Sequence, residues 1–361
     1  MVDSGSSRPR YQGLAAARRW QHEPVKPRAG FSLAVGDRIG ELTIMGHLAR
    51  GRITELYQVW SNEHWCALTG KVVAPDRMDG DVMPAAVRRE EQVLRRLQHP
   101  NIVRLFGSGI ADGRPYILLE YFAGPSLYDV LESMPRRRLH VPDAIRATMH
   151  VGAAIHYLHR QGYLYRDLKP GNVLLREGIP ILVDFDVVRK IDNRRPSDRL
   201  GTAPYMAPEQ VRRDPLTPAA DVYGLGALLY ELLTGRWPTE EPPEEGEDEW
   251  DEDWDDEPTP ALAPAPRARG AWSEGKAPLS AAELNARYPQ LTTPPVAPRE
   301  HLPHLDARIE EIILRCLAPD PTNRFQTVSG LLAALAPHLK GRHRLWPEAA
   351  PIERRADTKT R

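Results

Sequence analysis

The spacing of apolar and polar residues changes character along the chain. In LTIMGHLARGRITELYQVW (42–60) the two kinds alternate and glycines intervene, which predicts two strands joined by a turn. CALTGKVV (66–73) and PYILLEYF (115–122) read as further strands. Between them, AAVRREEQVLRRLQ (85–98) carries Val87, Val93, Leu94 and Leu97 near helical spacing. From 126 onward the pattern is mostly helical. DAIRATMHVGAAIHYLHRQG (143–162) predicts a long helix closed by Gly162, DVYGLGALLYELLTG (221–235) a more apolar one and LDARIEEIILRCL (305–317) a third. The apolar run ILVDFDVV (181–188) predicts a buried strand that carries Asp184 and Asp186 inside it. A carboxylate in such a place costs several kcal/mol unless it is paired, so these two residues call for partners. Strands first and helices afterwards predict an α+β chain of two lobes.

Composition narrows the picture. The 361 residues suffice for one large or two ordinary domains, and 41% hydrophobic with 27% charged residues is globular. A formal net charge of −1 implies no global attraction to nucleic acid or membrane, and neither partner is expected. No apolar run approaches a membrane span, and the start MVDSGSSRPR is polar. Cys66 and Cys316 lie far apart without metal-ligand spacing and read as reduced thiols of a cytoplasmic protein. Residues 1–38 read as a disordered tail, 338–361 as a mixed-charge tail and 238–300 as an acidic, proline-rich insert. Within the insert EEPPEEGEDEWDEDWDDE should repel itself, and it offers its charge to a basic partner. The basic stretch with Arg189, Lys190, Arg194, Arg195 and Arg199 has the complementary sign.

The chemistry-bearing stretch is YLYRDLKPGNVLL (163–175), followed by D-F-D at 184–186. The spacing Arg166-Asp167-x-Lys169-x-x-Asn172 resembles the catalytic loop of protein kinases. With Lys169 and Pro170 the chain is similar to the eukaryotic-like serine/threonine kinases, as a bacterial-type soluble member. The resemblance implies a two-lobe kinase domain over 39–337, with a β-rich N-lobe (39–121) and a helical C-lobe (122–337). It also implies that Asp167 accepts the substrate hydroxyl proton, that Lys169 steadies the γ-phosphate, and that Asn172 and Asp184 hold magnesium. Lys71, fifteen residues after Leu56, would reach the α- and β-phosphates, oriented by Glu90. The backbone at Glu120 and Phe122, after Leu119, would meet adenine, and Gly51 would form the tip of the glycine loop. GTAPYMAPEQ (201–210) would hold the substrate, with Thr202 beside Asp167. Asp221 would hold the catalytic loop, and Arg324 would pair with Glu209.

The chain departs from the family pattern at four places. Ala49 and Thr54 replace loop glycines, Tyr165 replaces the histidine of H-R-D, and Asp186 replaces the glycine of D-F-G. Of the positions where basophilic relatives place acids (here Ser126, Gly171 and Glu231), only Glu231 is acidic, so no strong preference for basic peptides is expected. Two functions follow from the resemblance. One is a serine/threonine kinase using ATP and Mg2+ on protein substrates, with autophosphorylation and Ser197 as an activating phosphosite. The other is a pseudokinase scaffold with a degenerate glycine loop and D-F-D motif.

Overall fold

The computed structural model describes residues 30–51, 53–77, 82–196, 199–239 and 280–339. The small lobe is a six-stranded antiparallel sheet of β1 (Arg38–Ile39), β2 (Leu42–Arg50), β3 (Thr54–Ser61), β4 (Cys66–Val73), β5 (Leu105–Ala111) and β6 (Arg114–Glu120). Its order is β1-β2-β3-β4-β6-β5. One helix, α1 (Val82–Leu94), joins β4 to β5 and packs against both and against β6. Successive side chains alternate between faces of a strand. Ile44, Tyr57, Val59, Leu68 and Val72 therefore form a cluster on one face. Lys71 lies opposite Leu56 in the β3–β4 register and points to the other face, as do Thr54 and Val73.

The large lobe is built on α2 (Leu127–Ser133), α3 (Val141–Arg160) and a run of short strands: β7 (Tyr163–Leu164), β8 (Val173–Arg176), β9 (Ile179–Leu182) and β10 (Arg189–Lys190). Then follow α4 (Pro208–Arg212), α5 (Pro218–Thr234), α6 (Ala281–Arg287), α7 (Pro298–His301), α8 (Ala307–Cys316) and α9 (Val328–Leu335). The central helix α5 is buried on all sides from Ala219 to Thr234. Its limits are written locally: the Thr217 side chain caps the first turn, Pro218 opens the helix, and Gly235 closes it at φ 73°. Leu182 donates its N–H to Asn101 O (2.8 Å) and accepts at its carbonyl from Val103 N–H (3.0 Å), which lashes the lobes together just ahead of Asp184.

Four expectations change. The strand predicted over 181–188 stops at Leu182, and Asp184 takes a left-handed φ of 63°. Aspartate tolerates that conformation, and the break moves both carboxylates out of a ladder. The strand predicted over 115–122 ends at Glu120, where the chain crosses to the large lobe. The segment expected as tail enters the fold by Phe31, which packs on the outer cluster of the sheet. The insert expected over 238–300 is folded in its last third. There α6 carries a Ser280–Glu283 capping box, and Tyr288 is buried with Ala203, Met206 and Val211. Pro238 and Val296 meet through a 2.8 Å hydrogen bond (Val296 N to Pro238 O). The acidic run itself lies outside the described residues, as do most of both predicted tails.

Arg324 binds the buried Glu209 at the start of α4. Nη1 and Nη2 lie 2.7 and 2.9 Å from Oε1 and Oε2, and the remaining donors reach the carbonyls of Ala318, Ala219 and Pro319. All five guanidinium N–H groups are thus used at 1% exposure. Removing one partner of a buried pair strands the other. Arg324→Leu is therefore expected to lower the stability of the domain by about 3–5 kcal/mol. Arg324→Lys should recover little of it, because an ammonium cannot reproduce the fork. Chemical denaturation of the three proteins measures both effects.

Candidate functional site

The loop after β7 is held from the central helix. Asp221 accepts the main-chain N–H groups of Tyr165 (2.9 Å) and Arg166 (2.8 Å), and its Oδ2 lies 2.7 Å from His159 Nε2. Arg166 consequently bends through a left-handed φ of 75°, and Gln210 donates to its carbonyl at 2.9 Å. Asp167 follows, nearly buried. Its Oδ2 accepts from Asn172 Nδ2 (2.9 Å) and lies 3.1 Å from Lys169 Nζ. Its Oδ1 accepts from the Thr202 hydroxyl (2.7 Å), which accepts in turn from Lys169 (3.0 Å). Asp167, Lys169, Asn172 and Thr202 form one connected set.

A second set spans the lobes. Lys71 Nζ lies 2.7 Å from Glu90 Oε2 and 2.8 Å from Asp184 Oδ1. Glu90 Oε1 accepts the N–H of Phe185 at 3.1 Å, so α1 is docked on the segment that carries Asp184. Burial alone would lower the pKa of Lys71, but the carboxylates of Asp184, Glu90 and Asp186 outweigh it and hold the ammonium charged. Phe185 is buried beneath Tyr165, ring edge to face at 5.4 Å, and the Tyr165 hydroxyl donates to the carbonyl of Val183. Tyr165, in place of the H-R-D histidine, thus packs on Phe185 and bonds to the main chain ahead of Asp184. Burial, then the nearby Asp184, Asp167 and Asp186, pushes the Tyr165 hydroxyl well above its ordinary pKa. Asp186 is absent from the left-handed residues of the described chain, so this conformation accepts a Cβ at that position.

The crossing segment and the β2–β3 turn complete the cleft. Glu120 spends its main-chain N–H on Arg104 O (2.9 Å) and its side chain on Arg176 (2.8 Å). Beyond the ladder, Phe122 packs on the large-lobe core. Gly124 passes so close to β8 that a Cβ would fall 1.6 Å from the Leu175 carbonyl oxygen. Gly51 donates to Thr54 O at 2.8 Å across the turn. Thr54, at the third glycine position of the pattern, is buried in a ladder with Val73. Its side chain faces the Lys71 side of the sheet.

Two features of the substrate segment were not legible in the sequence. Gln290 is buried and donates to the carbonyls of Ala203 (2.7 Å) and Met206 (3.1 Å). The S-x-x-E capping box at Ser280 was the signal that this part of the chain folds. Tyr205 donates to Glu231 Oε2 and accepts from Trp237 Nε1. Glu231 is thus a buried group tied to the segment's own tyrosine. Of the basic residues after β9, Arg189 pairs with Asp192 (2.7 Å), Arg195 lies 3.8 Å from Asp214, and Arg199 donates to Val211 O (2.7 Å). Ser197 lies outside the described residues.

Comparison with known proteins matches residues 42–334 to the family described as "Protein kinase domain". The chain is 31% identical over 206 residues to a probable serine/threonine-protein kinase PknB of Bifidobacterium longum, covering 53% of this chain and 30% of that one. It is 30% identical over 263 residues to the serine/threonine-protein kinase PknB of Mycobacterium tuberculosis, covering 69% of this chain and 35% of that one. It therefore spans about a third of the length of these curated relatives. The crystal structure of the Mycobacterium tuberculosis PknI kinase domain superposes with a TM-score of 0.56 at 23% identity, covering 85% of this chain and 99% of that one. A mutant of that domain gives 0.60 at 22%, covering 86% and 100%. These structures share the two-lobe fold.

The Glu231 site has a measurable consequence. Burial pushes its pKa from 4.5 up to about 7, against the lowering effects of the Tyr205 hydrogen bond and the Arg137 charge. The folded state thus keeps this proton where the unfolded chain has lost it. The associated stability is full below about 4.5 and is lost as pH rises through about 7. Glu231→Gln keeps an acceptor for Tyr205 and cannot ionise. Relative to wild type, the variant is expected to gain on the order of 3 kcal/mol between about pH 4 and about pH 8. Denaturant unfolding at both pH values measures the gain.

Proposed function

The chain belongs to the protein kinase domain family, and on that premise we propose that it transfers the γ-phosphoryl group of ATP to serine or threonine hydroxyls of proteins. The observation that carries this reading is the bridge from Glu90 through Lys71 to Asp184. It brings a strand, a helix and the segment after β9 into the arrangement that phosphoryl transfer needs.

The residues divide the work. Asp167 sits where a substrate hydroxyl would be drawn in, and its carboxylate takes the proton as the new O–P bond forms and the bond to ADP breaks. Lys169, 3.1 Å from Asp167, carries positive charge to the transferring group. Lys71 holds the α- and β-phosphates, Gly51 lets main-chain N–H groups come close to them, and the backbone around Glu120 and Phe122 receives the adenine ring. The side-chain amide oxygen of Asn172 and the carboxylate of Asp184 are hard oxygen donors of the kind magnesium takes when phosphates and water complete its shell. Magnesium, when bound, would offset the charge on the β- and γ-phosphates.

The intact Lys71–Glu90–Asp184 bridge and the Asp167 set favour this enzyme over a scaffold without catalysis. Protein hydroxyls are the substrates proposed, with autophosphorylation among the reactions. The acidic run 240–257 is read as the site for a basic partner or for the chain's own Arg-rich stretch after β9. A cytoplasmic setting agrees with the two free cysteines, and no described helix is long and apolar enough to cross a membrane.

Asp167→Asn is expected to lower phosphoryl transfer by about 10²–10⁴ while nucleotide affinity stays near wild type. Asp184→Ala should instead abolish magnesium-dependent nucleotide binding, and Asp186→Gly should preserve activity. Radiolabel transfer from ATP and calorimetry of Mg-ATP binding separate the three. Equal turnover in wild type and Asp167→Asn would overturn the proposed chemistry. Deleting 240–257 should change turnover more at low than at high salt, because exposed charges are screened beyond about 8 Å at physiological ionic strength. Identical salt profiles with and without the segment would reduce it to a linker.

A further inference from the structure

Glu55 is fully buried, with 0% of its surface exposed, although it lies one residue beyond Thr54 at the rim of the nucleotide cleft. It is the cross-strand partner of Arg50, and this pair is the last before the turn that carries Gly51. Two of its hydrogen bonds come from a residue that precedes the sheet, and its other partners stand on the sheet itself. Ser32 donates its main-chain N–H to Oε1 at 3.1 Å and its hydroxyl to Oε2 at 2.5 Å. Tyr57 donates to Oε2 at 2.7 Å. Arg114 Nη1 lies 3.6 Å from Oε2 and also donates to the Ser32 hydroxyl at 2.8 Å. Arg50 Nε lies 3.9 Å from Oε1, and its Nη2 lies 3.2 Å from Asp76 in the helical turn after β4.

The neighbouring residues of the same segment add to this attachment. Gly30 lies against Arg50, so that a Cβ there would fall 3.2 Å from Nη1. Phe31 packs on the rings of His47 and Tyr57, with centroids 4.6 and 5.5 Å away. Leu33 donates its N–H to the Tyr57 hydroxyl oxygen (3.2 Å), and its carbonyl oxygen lies 2.7 Å from His47 Nε2. Burial, together with the Glu55 carboxylate, pushes the Tyr57 hydroxyl up to about 12, so it remains a donor. These four residues lie ahead of the span 42–334 that matches the family. Their partners Arg50, Glu55, Tyr57 and Arg114 lie within that span, so the attachment joins a segment outside the match to the matched domain.

A buried carboxylate deprived of partners is costly and must be rehydrated. Here rehydration means opening the base of the β2–β3 turn. That turn also lacks two of its three pattern glycines, Ala49 and Thr54 standing in their places. We propose that residues 30–33 are a latch on Glu55 that fixes the β2–β3 turn in its nucleotide-receiving position, with Ser32 and Glu55 as positioning residues. The inference rests on the reading of the cleft as an ATP site. Its signature is a loss of nucleotide affinity that travels with local opening of 49–56, not with the stability of the domain.

The test uses the full chain with Ser32→Ala, Ser32→Thr and Glu55→Gln. Ser32 is exposed, so both of its variants should fold. Amide hydrogen exchange of 49–56 is followed without nucleotide, and the Kd for Mg-ATP is measured by calorimetry. Ser32→Ala and Glu55→Gln are expected to speed exchange in 49–56 and to weaken Mg-ATP binding by about threefold to tenfold. Ser32→Thr, which restores the hydroxyl, should match wild type in both. Unchanged exchange in Ser32→Ala would overturn the latch. Faster exchange with an unchanged Kd would overturn its link to the nucleotide. Absence of Mg-ATP binding by wild type would instead defeat the functional reading, and the exchange data would still decide the latch.

Discussion

The ammonium of Lys71 is the place where separately built parts of the chain meet. It stands on β4, between a carboxylate from α1 and another from the turn after β9. None of the three groups is stable alone in this position, since each would be a charge removed from water. Together they offset one another, one positive charge held between two negative ones, and the helix, the sheet and the large lobe are set relative to one another by that condition. The Phe185 N–H on Glu90 extends it to the backbone, so α1 could not move outward without exposing an amide as well as a carboxylate.

The same logic recurs below. Asp221 inside α5 is satisfied by two main-chain N–H groups and a histidine, and its burial dictates the bend that presents Asp167. Glu209 and Arg324 anchor the far end of the segment 201–210. The cleft is thus bounded by buried carboxylates, each of which fixes a loop. The loops in turn hold Asp167, Lys169, Asn172 and Thr202, themselves buried and hydrogen-bonded to one another. Apolar packing supplies the bulk of the two lobes, but it does not aim side chains. Hydrogen-bonded charge does.

Much of this was legible where chemistry and periodicity agreed. Val87, Val93 and Leu94 marked the buried face of α1, and the same face placed Glu90 inward beside them. Lys71 was legible through its distance from Leu56, which the β3–β4 register turns into a direct cross-strand pair. The stretch 181–188 misled because apolar content alone cannot distinguish a strand from a tight turn between buried walls; the two aspartates were the better signal. The 280–291 stretch was hidden by the composition of what precedes it. Its apolar residues Leu284, Tyr288 and Leu291 are few, and they matter only because the substrate segment is there to cover them. Glu55 and Ser32 are twenty-three residues apart and no local pattern connects them. Contacts of that kind depend on how the sheet folds over its own beginning.

The hydrogen bond between Pro238 and Val296 has an evolutionary side. It closes the root of everything that lies between them, so the large lobe meets the same two fixed ends however much sequence is inserted there. The entropy of closing a flexible loop grows only logarithmically, and each doubling of length costs about 0.6 kcal/mol. Sequence between residues 239 and 280 can therefore lengthen or shorten at little cost, provided that Tyr288 and Gln290 keep their places against Ala203 and Met206. New segments can be tried beside the segment 201–210 while the scaffold that holds Asp167 stays as it is.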